Sequence, residues 1–372
     1  MSQHDAHVQY YYRLKLERMR AEAGLEAPVD KIGRRLFHLA VLDLKEERKA
    51  AAVETEEEKG YLSVEEFMGY SPDKPRKAPR EDPSSFHLIA SATPPDTGDS
   101  SVATIRNRLL NKMRGPIPLR GPEREHLADL LFARLHAAAP WMAELTEALW
   151  KEARVAAAPG RGLAFRPTLL VGPKGCGKST YAAKLAHMAG VPFLRIDAAS
   201  GLASFAVAGV EAGWRSAKPG SPISLMAEER VGNPIILIDE VDKCAQPDSV
   251  ATLDQALLPL LEPGTAETWV CPFLGIKVDM SRINWLLAAN DLGRVAEVLR
   301  DRTRVVEVGY PSGGTLASFI RSAAPEGVEP EVIEALIDLC TRAEVVGKPV
   351  SLRRIKAALE AADNAVVAHT LN

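Results

Sequence analysis

The run Gly172-Pro-Lys-Gly-Cys-Gly-Lys-Ser179 constrains this chain more than any other feature. It is a complete GxxxxGK[ST] pattern. It follows the β-rich run Thr168-Leu-Leu-Val171 and opens a helical run from Ser179 to Gly190. A strand, a glycine loop and a helix in that order wrap backbone amides and the positive end of a helix dipole around phosphate groups. Lys178 then reaches the β- and γ-phosphates, and the Ser179 hydroxyl becomes a ligand for Mg²⁺.

Downstream, short β-rich runs alternate with helical ones: Thr168–Val171, Val191–Ile196, Pro234–Ile238, Ile283–Ala288 and Val305–Val308. That alternation predicts an α/β fold, a parallel sheet flanked by helices on both faces. The third run continues as Ile235-Ile-Leu-Ile-Asp239-Glu240. A continuous apolar strand has no structural need for two acids at its carboxyl end, whereas a nucleotide site does. One acid holds Mg²⁺ and the next polarises the attacking water, so Asp239 takes the first role and Glu240 the second.

Around this centre the chain divides by composition. Pro122–Ala138 and Trp141–Val155 carry helical apolar spacing, with Pro140 at the second helix start. After Pro311 only helical patterns occur, as expected of a small separate lid. Near the N-terminus, Ile32, Leu36 and Leu39 could line one helix face, and the acids Glu54, Glu56, Glu57 and Glu58 read as a solvated surface. From Ser71 to Ser100, Pro72, Pro75, Pro79, Pro83, Pro94 and Pro95 stand among polar residues, which predicts a linker.

Composition narrows the function classes. Of 372 residues, 46% are hydrophobic and 26% charged, ordinary for a globular protein with a core. Lysine plus arginine total 46 against 49 acids, which argues against a highly basic nucleic-acid coat. No run is apolar enough to span a membrane, and the polar N-terminus lacks a secretory h-region. Cys176, Cys244, Cys271 and Cys340 form no CxxC pair, so they are expected as reduced thiols in a cytoplasmic protein.

The order of phosphate loop, Asp-Glu strand, Asn-ending strand, arginine-rich segment and helical tail resembles an AAA+ ATPase. Within that class it resembles the ATPase module of Lon proteases. The carrying residues are Ile236-Leu-Ile-Asp-Glu-Val-Asp-Lys243, Ala256-Leu-Leu-Pro-Leu-Leu-Glu-Pro263 and Trp285-Leu-Leu-Ala-Ala-Asn290. The resemblance runs from about Arg120 to the C-terminus, and the first hundred residues have no counterpart in it. Composition and resemblance together divide the chain into a helical, partly disordered arm and linker (1–100), an AAA+ nucleotide-binding domain with leading helices (101–310) and a helical lid (311–372). The resemblance implies ATP and Mg²⁺ as cofactors. A Walker A loop would bind nucleotide through Gly172, Pro173, Lys174, Gly175, Cys176, Gly177, Lys178, Ser179 and Thr180, and the Walker B acids are Asp239 and Glu240.

Further roles carry over one residue at a time. Asn290 resembles sensor 1, which orients the attacking water. Leu299-Arg-Asp-Arg302 resembles the arginine-finger segment; one extra residue after Asn290 keeps Arg300 and Arg304 as rivals, and Arg302 is favoured because it follows Asp301. Val350-Ser-Leu-Arg353-Arg354-Ile355 resembles sensor 2, with Arg353 ahead of Arg354 because Ile355 and Leu359 should face the lid core. Trp214, in Gly213-Trp-Arg-Ser-Ala-Lys-Pro-Gly220, takes the place of the pore-loop aromatic that contacts a threaded substrate.

Lon proteases carry a Ser-Lys proteolytic domain after the lid. The sequence ends soon after Arg353 and shows neither a GxSxG elbow nor HExxH, so no protease activity of its own is expected. The resemblance therefore implies a homo-oligomeric ring, a hexamer, that remodels or unfolds a protein substrate or adaptor. The alternative is a DNA-linked AAA+ ATPase of the clamp-loader or transposition-regulator kind. Its basic residues would be Arg76, Lys77 and Arg80 or the cluster at 300–304. A non-catalytic nucleotide switch is disfavoured by the complete set of hydrolytic residues.

Overall fold

The computed structural model describes residues 85–89, 94–95, 100–244 and 252–370. The leading part contains β1 (Ser85–His87), α1 (Ser100–Met113), β2 (Pro116–Pro118), α2 (Glu125–Ala138) and α3 (Ala143–Ala157). The central part begins with β3 (Thr168–Val171), α4 (Lys178–Ala189), β4 (Phe193–Asp197), α5 (Ala203–Ala208), β5 (Gly209–Val210), β6 (Lys218–Pro219) and α6 (Ser221–Glu229). It continues through β7 (Ile235–Asp239), α7 (Leu253–Leu261), α8 (Pro263–Ala266), β8 (Trp269–Cys271), β9 (Ile276–Val278) and β10 (Asn284–Ala289). It closes with α9 (Glu297–Asp301) and β11 (Arg304–Glu307), and α10 (Gly313–Ala323), α11 (Pro330–Val345) and α12 (Leu352–Thr370) follow.

All five expected runs form strands, and they make one parallel sheet in the order β11-β3-β10-β7-β4. Their apolar continuity follows from burial on both faces. Along β7, Ile236 and Ile238 enter the core under one face while Ile235 and Leu237 enter the core under the other. The first core includes residues of α1, α6 and α7; the second packs α2, α3 and α4. Because β3, first of these strands in the chain, lies between β11 and β10, the loops after β3, β7 and β10 gather at one carboxyl edge, where such sheets bind ligands. A third, smaller core, with Leu316, Ile320, Cys340, Leu352, Ile355 and Leu359, holds the three terminal helices together.

The linker expectation for 71–100 needs correction at its described residues. Strand β1 pairs antiparallel with β2, Ile89 bridges to Val278, and Leu88 is fully buried in the first core. Phe86 lies so close over Gly232 that a Cβ there would come within 1.8 Å of its ring. Arg106 then ties Pro95 to the β8–β9 hairpin, donating to the carbonyls of Pro95 and Phe273. Proline-rich composition argued for a linker, but Phe86, Leu88 and Ile89 pack residues 85–89 onto the first core. The expected helix around Ile32, Leu36 and Leu39 and the acid run at 54–58 lie outside the described residues.

Candidate functional site

The phosphate loop leaves β3 and enters α4 through Gly177, whose φ of 107° is open to glycine and costly for a side chain. Lys178 is the first residue of α4, and its side chain folds back into the loop. Its ammonium donates to Gly172 O at 2.6 Å, Pro173 O at 3.2 Å and Asn290 Oδ1 at 3.1 Å. These acceptors lie where phosphate oxygens would bring stronger, charged ones. Buried Cys176 completes the loop wall, and burial pushes its thiol up from the ordinary range.

Next to Lys178, the Ser179 hydroxyl donates to Asp239 Oδ2 at 2.6 Å, bridging α4 to the end of β7. The same oxygen accepts from Arg195 of β4 at 2.8 Å. A hydroxyl and a carboxylate, both hard oxygens, match the sparse protein ligation that Mg²⁺ prefers. Glu240 follows with φ 60° and ψ 40°, one of two non-glycine residues in the left-handed region among the described residues. Such backbone costs about 1–3 kcal/mol and concentrates at functional sites. Its amide donates to Asp239 Oδ1, and its carboxylate pairs with Lys243, whose ammonium that hydrogen bond pushes up. Asn290 stands immediately after β10, facing Lys178 across the loop.

Thus Lys178, Ser179, Asp239, Glu240 and Asn290 come together on one edge of the sheet. Thr180 continues α4, and Lys174 contributes its carbonyl to the Tyr310 hydroxyl at 2.7 Å. Arg353 is exposed near the start of α12, two residues after Ser351, which abuts Gly175 of the loop. Arg302, exposed at the end of α9, makes a long 3.5 Å contact with Glu262. Arg304 instead pairs with Glu152 of α3 at the sheet edge, where burial lowers its pKa. Trp214 caps the turn of the β5–β6 hairpin, 67% exposed. Sequence reasoning passed over Arg195, Lys243 and Trp141. Arg195 could have been noticed as the lone cation in a strand beside the acids; nothing local marks Trp141.

Residues 168–310 match the family described as the ATPase family associated with various cellular activities (AAA). This chain carries a Lon-like AAA module. The chain is similar to Lon protease 4 of Sorangium cellulosum, 31% identical over 172 residues, which is 45% of this chain and 21% of that protein. It is 35% identical over 144 residues to the peroxisomal Lon protease homolog 2 of Pichia angusta, covering 38% of this chain and 15% of that one. The mitochondrial Lon protease homolog of Scheffersomyces stipitis is 30% identical over 166 residues, 44% of this chain and 15% of its own. The matched stretch therefore spans about a fifth or less of these curated relatives. Among the described residues no helix is long and apolar enough to cross a membrane.

Proposed function

We propose that the chain is an ATPase that binds Mg²⁺·ATP at the AAA module, assembles into a closed homo-oligomeric ring, a hexamer, and remodels or unfolds a protein partner. The observation that carries the hydrolytic half is the closure of one site by Lys178–Asn290 at 3.1 Å and Ser179–Asp239 at 2.6 Å. Phosphate oxygens entering the loop draw Lys178 away from the Gly172 and Pro173 carbonyls. Ser179 and Asp239 would hold Mg²⁺, which would offset charge on the phosphates of bound ATP. Glu240, released from Lys243, accepts a proton from the attacking water, and the Asn290 amide orients that water. Arg302 of a neighbouring subunit completes the site, and Arg353 reports phosphate occupancy to the lid.

The exposed Trp214 supports the mechanical half. A large aromatic on a hairpin turn, with exposed Gly213 and Arg215 beside it, is suited to gripping an extended chain. The four cysteines are all free, which supports a reducing, cytoplasmic setting. Two variants test the site. Lys178→Ala is expected to lose binding of a fluorescent ATP analogue, whereas Glu240→Gln is expected to bind it and lose turnover by at least about 10²-fold. Near-normal hydrolysis by Glu240→Gln would remove Glu240 as the base. Stimulation of wild-type turnover by an unfolded protein is expected; stimulation by DNA alone would favour the DNA-linked reading instead.

A further inference from the structure

Three successive carbonyls of the phosphate loop are each held from outside the loop. Lys174 O accepts from the Tyr310 hydroxyl at 2.7 Å, Gly175 O from the Leu352 amide at 3.0 Å, and Cys176 O from the Trp141 indole at 3.0 Å. In a trans peptide, C=O and the next N–H point in opposite directions, and no cis bond occurs among the described residues. Carbonyls drawn outward therefore turn the amides of residues 175–177 toward the loop interior, where phosphate would sit. Leu352 begins α12, so one of these three bonds comes directly from the lid.

Trp141 reaches the lid by a second route. Its ring meets Phe319 of α10 edge-on, with centroids 5.6 Å apart and planes at 85°. It packs against both the core under α2–α4 and the core of the lid, the one hydrophobic side chain among the described residues that joins those two cores. It also approaches Gly177 to within 3.7 Å of where a Cβ would stand, beside Leu352.

We propose that Trp141 is a positioning residue that couples the orientation of the lid to the shape of the phosphate loop. A lid displacement that moves Phe319 shifts the indole, and the indole carries the Cys176 peptide with it. The proposal rests on the nucleotide-site reading above, so its test has one arm that needs no nucleotide.

Full-length wild type, Trp141→Phe, Phe319→Ala and the double variant are compared by affinity for a fluorescent ATP analogue and by amide hydrogen exchange of the 172–178 peptide. Thermal melting serves as the folding control. Trp141→Phe keeps a ring against Phe319 but loses the N–H donor, and it should weaken binding about five-fold, the value of one net hydrogen bond. Phe319→Ala removes only the lid-side ring, and it should speed exchange of the loop and weaken binding as well. If the effect passes through Trp141, the double variant should lose less than the product of the single losses. Independent, multiplicative losses would overturn the coupling, as would unchanged loop exchange in a folded Phe319→Ala protein. Should Trp141→Phe fail to fold, the exchange of Phe319→Ala decides alone. Lys178-dependent binding by wild type with no effect at Trp141 sinks only the coupling; absence of binding by wild type sinks the nucleotide reading.

Discussion

Arg302 and Arg304 stand two positions apart, yet their surroundings differ. Arg304 is largely buried against α3 and spent on Glu152, so it cannot reach across a subunit boundary without breaking that pair. Arg300 is half-buried, with its Nε buried and without a hydrogen-bond partner among the described residues. Arg302 alone of the three is exposed and only loosely held, by Glu262 at 3.5 Å. That exposure supports the proposal of Arg302, rather than Arg300 or Arg304, as the finger. The expected outcomes separate cleanly. Arg304→Ala should lower stability by about 1–3 kcal/mol, because a partly buried carboxylate loses a partner, with turnover at permissive temperature reduced only modestly. Arg302→Ala should leave the melting temperature within about a degree of wild type, the usual result for an exposed residue, while turnover falls by about 10³-fold or more. Paired melting curves and turnover assays check both.

At the scale of elements, two short pieces matter out of proportion to their length. The β5–β6 hairpin has two residues in each strand and presents Trp214 at its turn. Nothing in the core depends on that indole, so Trp214→Ala should leave melting and basal ATPase unchanged within about two-fold, as expected for an exposed site. Unfolding of a tagged protein substrate should be abolished, and a real-time unfolding assay beside the ATPase assay reads the difference. Strand β1 is the opposite case. Leu88 is fully buried, and its truncation to alanine should cost about 2–5 kcal/mol. A deletion of residues 1–99 removes Leu88, Phe86 and β1 together, so it should destabilise the AAA module rather than leave it intact. Denaturant unfolding of Leu88→Ala and of the deletion tests both.

For the whole molecule, the proposed ring makes a claim no single subunit can satisfy. If Arg302 completes the neighbour's site, Arg302→Ala and Lys178→Ala are each inactive alone but complementary when mixed. An interface works when an intact loop of the first meets an intact finger of the second, about one interface in four at equal proportions in a heterologous ring. Recovered turnover should approach but not exceed a quarter of wild type. Co-assembly, shown by co-purification of differently tagged variants, with no recovery would mean that the site is not shared through Arg302.

Much of this protein was legible in its sequence because the relevant physics is local. Strands buried on both faces must be continuously apolar, so all five strands of the sheet could be read within about two residues of their ends. The phosphate loop could be read because its glycines, its lysine and its helix start lie within eight consecutive positions. The two acids at the carboxyl end of β7, Asp239 and Glu240, stood out because a buried apolar strand has no structural need for them. Tertiary structure decided whatever depends on distant partners. Trp141 and Cys176 are 35 positions apart and Arg106 and Phe273 are 167 apart, and no periodicity encodes such pairs. Asn233 and Asn284, both buried, satisfy the carbonyl of Leu163 together, far from either in the chain. Residues 86–89 read as part of a linker because composition averages over residues, while docking needs only the few that find a complementary surface. Arg302 and Arg304 differ for the same reason: identical side chains, distinguished only by which neighbours the fold supplies.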